Sequence, residues 1–119
     1  MGFLDRFKKK EAPSAPELDR ISLKQLRQGG ADLSLPRHIL HFVYFEDEQA
    51  ARAAGEALSA GGYEFEVSPP DEQVAEWVVR AETTRVIDET TVPAYRRWFE
   101  QVASEHGGEY DGWEAATKP

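Results

Sequence analysis

The residues with which this chain could do chemistry are its 22 acidic side chains and three histidines; it contains no cysteine. His38 and His41 stand three apart in the run RHILHFVYF. On a strand that spacing sends two side chains to opposite faces, so the pair cannot grip one metal ion. The expectation is one histidine at the edge of the core and one in solvent. His106 falls where a helical pattern ends, a place where a charged imidazole meets the favourable end of the helix dipole. Glu109 and Asp111 flank Tyr110, which puts both carboxylates on one face of a short strand. Paired carboxylates can share acid–base work, yet nothing around this pair supplies a nucleophile, an oxyanion donor or a third ligand. Asp111 is instead expected to bond backbone N–H groups of its own turn. The glycine pairs at 29–30, 61–62 and 107–108 match neither the dinucleotide fingerprint nor the phosphate loop. Without cysteine there is no disulfide, no thiolate nucleophile and no cysteine zinc site. The inventory therefore predicts no catalytic residue, no metal and no cofactor.

Charge narrows the partners. The net value is −8 at pH 7, but residues 1–10 hold Arg6, Lys8, Lys9 and Lys10 against Asp5, for +3, which leaves −11 on the remainder. A body that acidic repels phosphate backbones, so direct nucleic-acid binding is not expected. A protein with a basic surface is the complementary partner; the blander reading is that the acidity only keeps the chain soluble. No apolar run approaches the ~18 residues of a membrane helix, and the N-terminus lacks the pattern of a secretion signal. A cytoplasmic protein is expected.

The elements that must position these groups follow from periodicity. MGFLDRFKKK sets Phe3, Leu4 and Phe7 at helical spacing ahead of three lysines. Contact with an anionic membrane surface is one reading of that pattern; a frayed tail is preferred, because two turns are marginal in water. EAPSAPE, residues 11–17, reads as a linker, so residues 1–17 form a tail and linker and residues 18–119 the domain. A short helix is predicted over Leu18–Gln28, with Leu18, Ile21 and Leu26 sharing a face and Gly29–Gly30 as its stop. ILHFVYF is dense in β-branched and aromatic residues and predicts a central strand buried on both faces. Asp47 is a plausible N-cap for a helix carrying the stripe Ala50, Ala54, Ala57 and Leu58, and Gly55 within it hints at close packing. YEFEVS and EWVVRAE alternate cleanly and sit close together, as a paired hairpin would. Thr83–Glu89 reads as a polar link. Thr90 or Thr91 then caps a helix whose apolar face runs Tyr95, Trp98, Phe99, Val102 and His106.

The last element is GGEYDGWE, residues 107–114. Its glycines turn the chain out of the helix. Its Asp-Gly pair makes a turn or bulge that re-aims the chain so that Trp113 folds back. Tyr110 and Trp113 anchor it. The order is strand-helix-strand-strand-helix-strand behind a small N-terminal helix. That order implies an α+β, ferredoxin-like (βαββαβ) two-layer sandwich: a four-stranded antiparallel sheet with its helices on one face.

Here the chain resembles the regulator of ribonuclease E activity B (RraB) family. Glu109-Tyr110-Asp111-Gly112-Trp113 carries the likeness most sharply. Leu26–Asp32, the His38–Phe45 strand, and Gly62-Tyr63-Glu64 followed by Val67 support it, and it spans about Leu18 to Glu114. The resemblance implies a non-catalytic α/β protein that binds ribonuclease E, or another RNA-degrading enzyme, and reduces its activity. It departs from some relatives in ending at Pro119 with almost no acidic tail. Tyr110, Asp111, Trp113 and Glu109 are the candidate partner-binding residues. The competing reading is a small-molecule-binding or enzymatic ferredoxin-like domain, which needs a concave pocket with convergent polar groups.

Overall fold

The computed structural model describes residues 13–118; the basic segment 1–10, and with it the expectation of a membrane-seeking or frayed tail, lies outside them. Helix α1 spans Ala15–Gln28. It therefore begins inside the segment expected to be a linker. Ser14 Oγ accepts the Glu17 N–H at 3.3 Å while the Glu17 carboxylate accepts the Ser14 N–H at 2.8 Å. This reciprocal capping box, with Pro16 in the first turn, makes Ser-Ala-Pro-Glu a helix start. The buried face of α1 also differs from the expected one. Asp19, Leu23 and Leu26 turn inward, while Leu18 and Ile21 are 50% and 45% exposed.

Strand β1 is Arg37–Phe45 and helix α2 is Glu48–Ala60. Asp47 caps α2, its carboxylate accepting the Ala50 N–H at 2.8 Å. The buried stripe of α2 is Ala51, Ala54, Gly55 and Leu58, rotated by about one residue from the expected alanines. At Gly55 an added Cβ would lie 2.4 Å from the Phe65 ring, so only glycine lets the helix come this close to the sheet. Strands β2 (Glu64–Ser68) and β3 (Trp77–Arg85) pair antiparallel. β3 continues through Thr83–Arg85, expected as a link, because those residues pair with Ile39, His38 and Arg37 of β1. Helix α3 is Val92–Glu105. Its entry is held from Asp88 and not from a threonine hydroxyl at the cap: the Asp88 carboxylate accepts the Thr90 and Thr91 N–H groups, both at 2.9 Å. Strand β4 is Glu109–Ala115.

The sheet order is β2-β3-β1-β4, with every neighbouring pair antiparallel. β3 lies between β1 and β2, so the first strand-helix-strand unit is split by the third strand. The result is the expected two-layer α+β sandwich. Along β1 the side chains of Arg37, Ile39, His41, Val43 and Phe45 are buried. They meet two helix-built clusters. One joins Val43, Phe45, Val79 and Ala81 to Ala54, Leu58, Phe99 and Val102; the other joins Ile39 and Ile87 to Leu23, Leu26 and Val92. The alternate residues of β1 face away: His38 is exposed, and Leu40, Phe42 and Tyr44 are only half-buried. Among the described residues β1 is thus central but covered on one face, not two. Its outward residues are as apolar as its inward ones, and no described helix crosses them.

One irregularity decides where the closing strand sends its aromatics. Val43 pairs with Tyr110 and Phe42 with Gly112, so Asp111 is an extra residue on β4. Without this bulge Tyr110 and Trp113, three apart, would face opposite sides of the sheet. With it both turn toward the helices, Trp113 lying opposite His41. Gly112 takes φ +139°, and an ideal Cβ there would touch nothing within 4 Å. The constraint is therefore backbone conformation, not space. Gly112→Val is expected to cost roughly 1–3 kcal/mol by urea unfolding, with Gly112→Ala less affected; an unchanged midpoint in both would contradict a bulge held by positive φ.

Candidate interaction surface

The four candidate residues of β4 divide between two faces. On the helix side, Asp19 is 6% exposed and accepts three hydrogen bonds. Arg96 Nε and Nη2 donate to its two oxygens at 2.7 and 2.9 Å, and Trp113 Nε1 donates at 2.9 Å. The same guanidinium lies 4.9 Å from the centre of the Tyr110 ring. The Tyr110 hydroxyl is 2.8 Å from His41 Nδ1, and the His41 ring stacks on Phe99 at 4.0 Å. Side chains from α1, α3, β4 and β1 thus form one connected network. The hydrogen bonds that Arg96 donates to Asp19 raise its pKa further. Burial pushes the Tyr110 hydroxyl up and holds His41 down at about 3, with Arg85 and Arg96 adding to the latter. The His41 ring is consequently neutral near pH 7. Its Nδ1 is hydrogen-bonded to the Tyr110 hydroxyl, and its buried Nε2 has no partner among the described residues.

On the other side, Glu109 and Asp111 project from the uncovered face. Asp111 accepts the Tyr44 hydroxyl at 3.1 Å and does not bond the backbone of its own turn. Tyr44 belongs to a column along β1, Leu40-Phe42-Tyr44, extended on β3 by Val78, the cross-strand partner of Tyr44. Carboxylates flank this column. Glu64 and Glu66 stand on β2, and Glu82 on β3; Glu109, Asp111 and Glu114 stand on β4. Arg80 pairs with Glu66 at 2.9 Å, and His38 with Glu82 at 2.7 Å. Phe42 faces Gly112 across the β1–β4 pair, and that partner has no side chain to lie against its ring. The face is an apolar strip between two acidic margins.

Two clefts of about 400 Å³ lie on either side of α1. Asp19 and Arg96 line both, but their charged ends are spent on each other. Among the described residues, no group of three or more His, Asp or Glu side chains is placed to hold a metal ion. No described helix is long and apolar enough to cross a membrane. Sequence reasoning placed His41 and His38 on opposite faces, and they are so placed. It missed Asp19 and Arg96, whose pairing spans 77 positions of sequence. The available signal was Asp19 standing in helical phase with Leu23 and Leu26. It also missed the open strip, which the apolar character of both faces of β1 could have revealed once only one helical layer was counted.

Breaking a buried ion pair leaves one charge stranded, at a cost of roughly 3–5 kcal/mol. Asp19→Ala is expected near the low end, since Glu100 remains 3.2 Å from Arg96 Nη1. The double variant Asp19→Leu/Arg96→Met should recover most of the loss by chemical denaturation; equal losses in single and double variants would contradict a charge-driven cost. The neutral His41 predicts a pH effect. The unfolded ring binds its proton near pH 6.5 and the folded ring near 3, so between these values the unfolded state holds more protons. Stability should therefore fall as pH drops from about 6.5, by up to about 1.4 kcal/mol per pH unit. His41→Gln should flatten that part of the curve, and parallel curves for the two proteins would refute the assignment.

Residues 17–115, most of the chain, match the model of the RraB family, described as regulator of ribonuclease activity B. No match to the chain was found among curated proteins.

Proposed function

The chain belongs to the regulator of ribonuclease activity B family, and on that premise we propose that it binds a basic segment of an endonuclease of the ribonuclease E type through the open face of its sheet. Binding lowers the enzyme's activity by covering a part of the enzyme, and the protein itself holds no RNA. The observation that carries this reading is the strip of Leu40, Phe42, Tyr44 and Val78, uncovered by any described helix and bordered by Glu64, Glu66, Glu82, Glu109, Asp111 and Glu114. An apolar centre with a charged rim is the anatomy of a protein interface. Lysine and arginine stems can lie along such a strip while their heads reach the carboxylates. The net charge of −8 opposes phosphate and attracts a basic partner. On this reading Glu109 and Asp111 touch the partner, whereas Tyr110 and Trp113 hold β4 in place from behind. The protein acts by contact and not by catalysis, in the cytoplasm where such enzymes meet RNA.

Titration calorimetry of the protein against its host's ribonuclease E tests this. Leu40→Ser/Phe42→Ser should weaken binding by about tenfold or more, as loss of central anchors does. Reversing Glu64, Glu66 and Glu114 to Lys should weaken it most at low salt. Wild-type affinity in both variants, or tight binding of the isolated protein to RNA, would overturn the proposal.

A further inference from the structure

The cleft between α1 and α3 lies on the helical side of the sheet, away from the open face. We propose that it is a binding site for a small anionic amphiphile, a molecule with a compact apolar body and one carboxylate. The proposal does not depend on the ribonuclease reading, which concerns the opposite side of the protein.

The two helices give the cleft its shape. α1 turns Asp19, Arg20 and Leu23 toward it, at helical spacing. α3 contributes Val92, Pro93, Arg96 and Arg97 from the other side. Two ion pairs bridge these walls, Asp19 with Arg96 and Arg27 with Glu89. Asp19 and Arg27 stand eight residues apart on α1, about 12 Å along the helix axis. Between these rungs the walls are Leu23, Val92 and Pro93 with the carbon stems of the arginines, so the lining is mostly apolar. The volume, about 410 Å³, lies in the range of small-molecule sites.

The rim supplies the charge. Arg20 and Arg97 are exposed, one on each helix, and neither has a carboxylate partner among the described residues. The acids near them are already engaged: Glu17 in the Ser14 capping box, Glu89 with Arg27, and Glu100 with Arg96. Two such guanidiniums at the edge of an apolar cleft reverse locally the charge of a chain whose net value is −8. A guanidinium grips a carboxylate through two parallel N–H groups. The wall below takes the apolar body by burial. On a protein this acidic a single negative charge is better tolerated than several, which favours a monocarboxylate over a polyanion such as a nucleic acid. Because the ion-pair rungs close the basin at both ends, a helix or strand of another protein cannot run along it.

Decanoate is a probe of this class, and decanol and decylammonium carry the same apolar body with a neutral or a positive head. Titrated into the full chain below its micelle-forming concentration, decanoate should shift the methyl signals of Leu23 and Val92 and saturate at one molecule per chain. Leu40 and Val78 on the open face should stay unmoved. Decanol and decylammonium should bind at least about tenfold more weakly, as befits a lost charge-assisted hydrogen bond. Arg20→Gln/Arg97→Gln should weaken decanoate by about tenfold or more and leave the urea midpoint in place, since both side chains are exposed. Arg20→Lys/Arg97→Lys should recover part of the affinity, keeping the charge without the planar fork. Leu40→Ser/Phe42→Ser should bind decanoate as the parent does, so failure of the ribonuclease reading and failure of this one are told apart. Shifts centred on Leu40 and Val78, equal binding of the three head groups, or no saturable binding would overturn the proposal. Parent-like affinity for decanoate in the double glutamine variant would do so too.

Discussion

The pairing of Asp19 with Arg96 is the interaction on which the arrangement of this protein turns. It is buried and bidentate, and it receives a third hydrogen bond from Trp113. A pair of this kind is a poor source of net stability, because desolvation offsets most of the attraction, but it is severe on any alternative that leaves one charge alone. That severity selects the face of α1 that turns inward. An amphipathic helix with apolar residues at Leu18, Ile21, Leu23 and Leu26 has more than one way to sit on a sheet. Only the orientation that delivers Asp19 to Arg96 satisfies both charges, and it leaves Leu18 and Ile21 in solvent.

The same pair ties the closing strand to the helical layer. Trp113 reaches Asp19, and Tyr110 lies beneath Arg96, only because the bulge at Asp111 lets residues three apart share a face. The strand thereby presents its aromatics to the core and its carboxylates to the open side. Inward aromatics and outward carboxylates are divided residue by residue within five positions. All three described helices pack on the first side, so the apolar column of β1 is left to the second, where a basic partner is the proposed cover.

Much of this was legible in the sequence because it is local. Strict alternation in YEFEVS and EWVVRAE, glycine pairs after helical runs, and Asp47 before a helix are features that near neighbours decide, and the sheet, its helices and the bulge at Asp-Gly follow from them. What was not legible depends on partners far away in the chain. The inward turn of Asp19 needs Arg96, 77 positions later. The Ser14 capping box was hidden because proline and alanine signal a linker as readily as a first helical turn. The open strip was hidden because Leu40, Phe42 and Tyr44 have the residue types of a core, and residue type does not reveal whether a second layer exists to cover them. That last misreading marks the candidate site, since apolar residues without a covering layer are what an interaction surface leaves in a sequence.

The central claim is that this uncovered face receives a ribonuclease. Cross-saturation from a protonated ribonuclease E to the methyl groups of the deuterated protein reads the contact directly. The account predicts loss of signal at Leu40 and Val78, with Leu23, Leu58 and Val79 spared. Loss concentrated instead at Leu18 and Ile21 on α1, or at Val92 in the cleft between α1 and α3, with Leu40 and Val78 untouched, would contradict it.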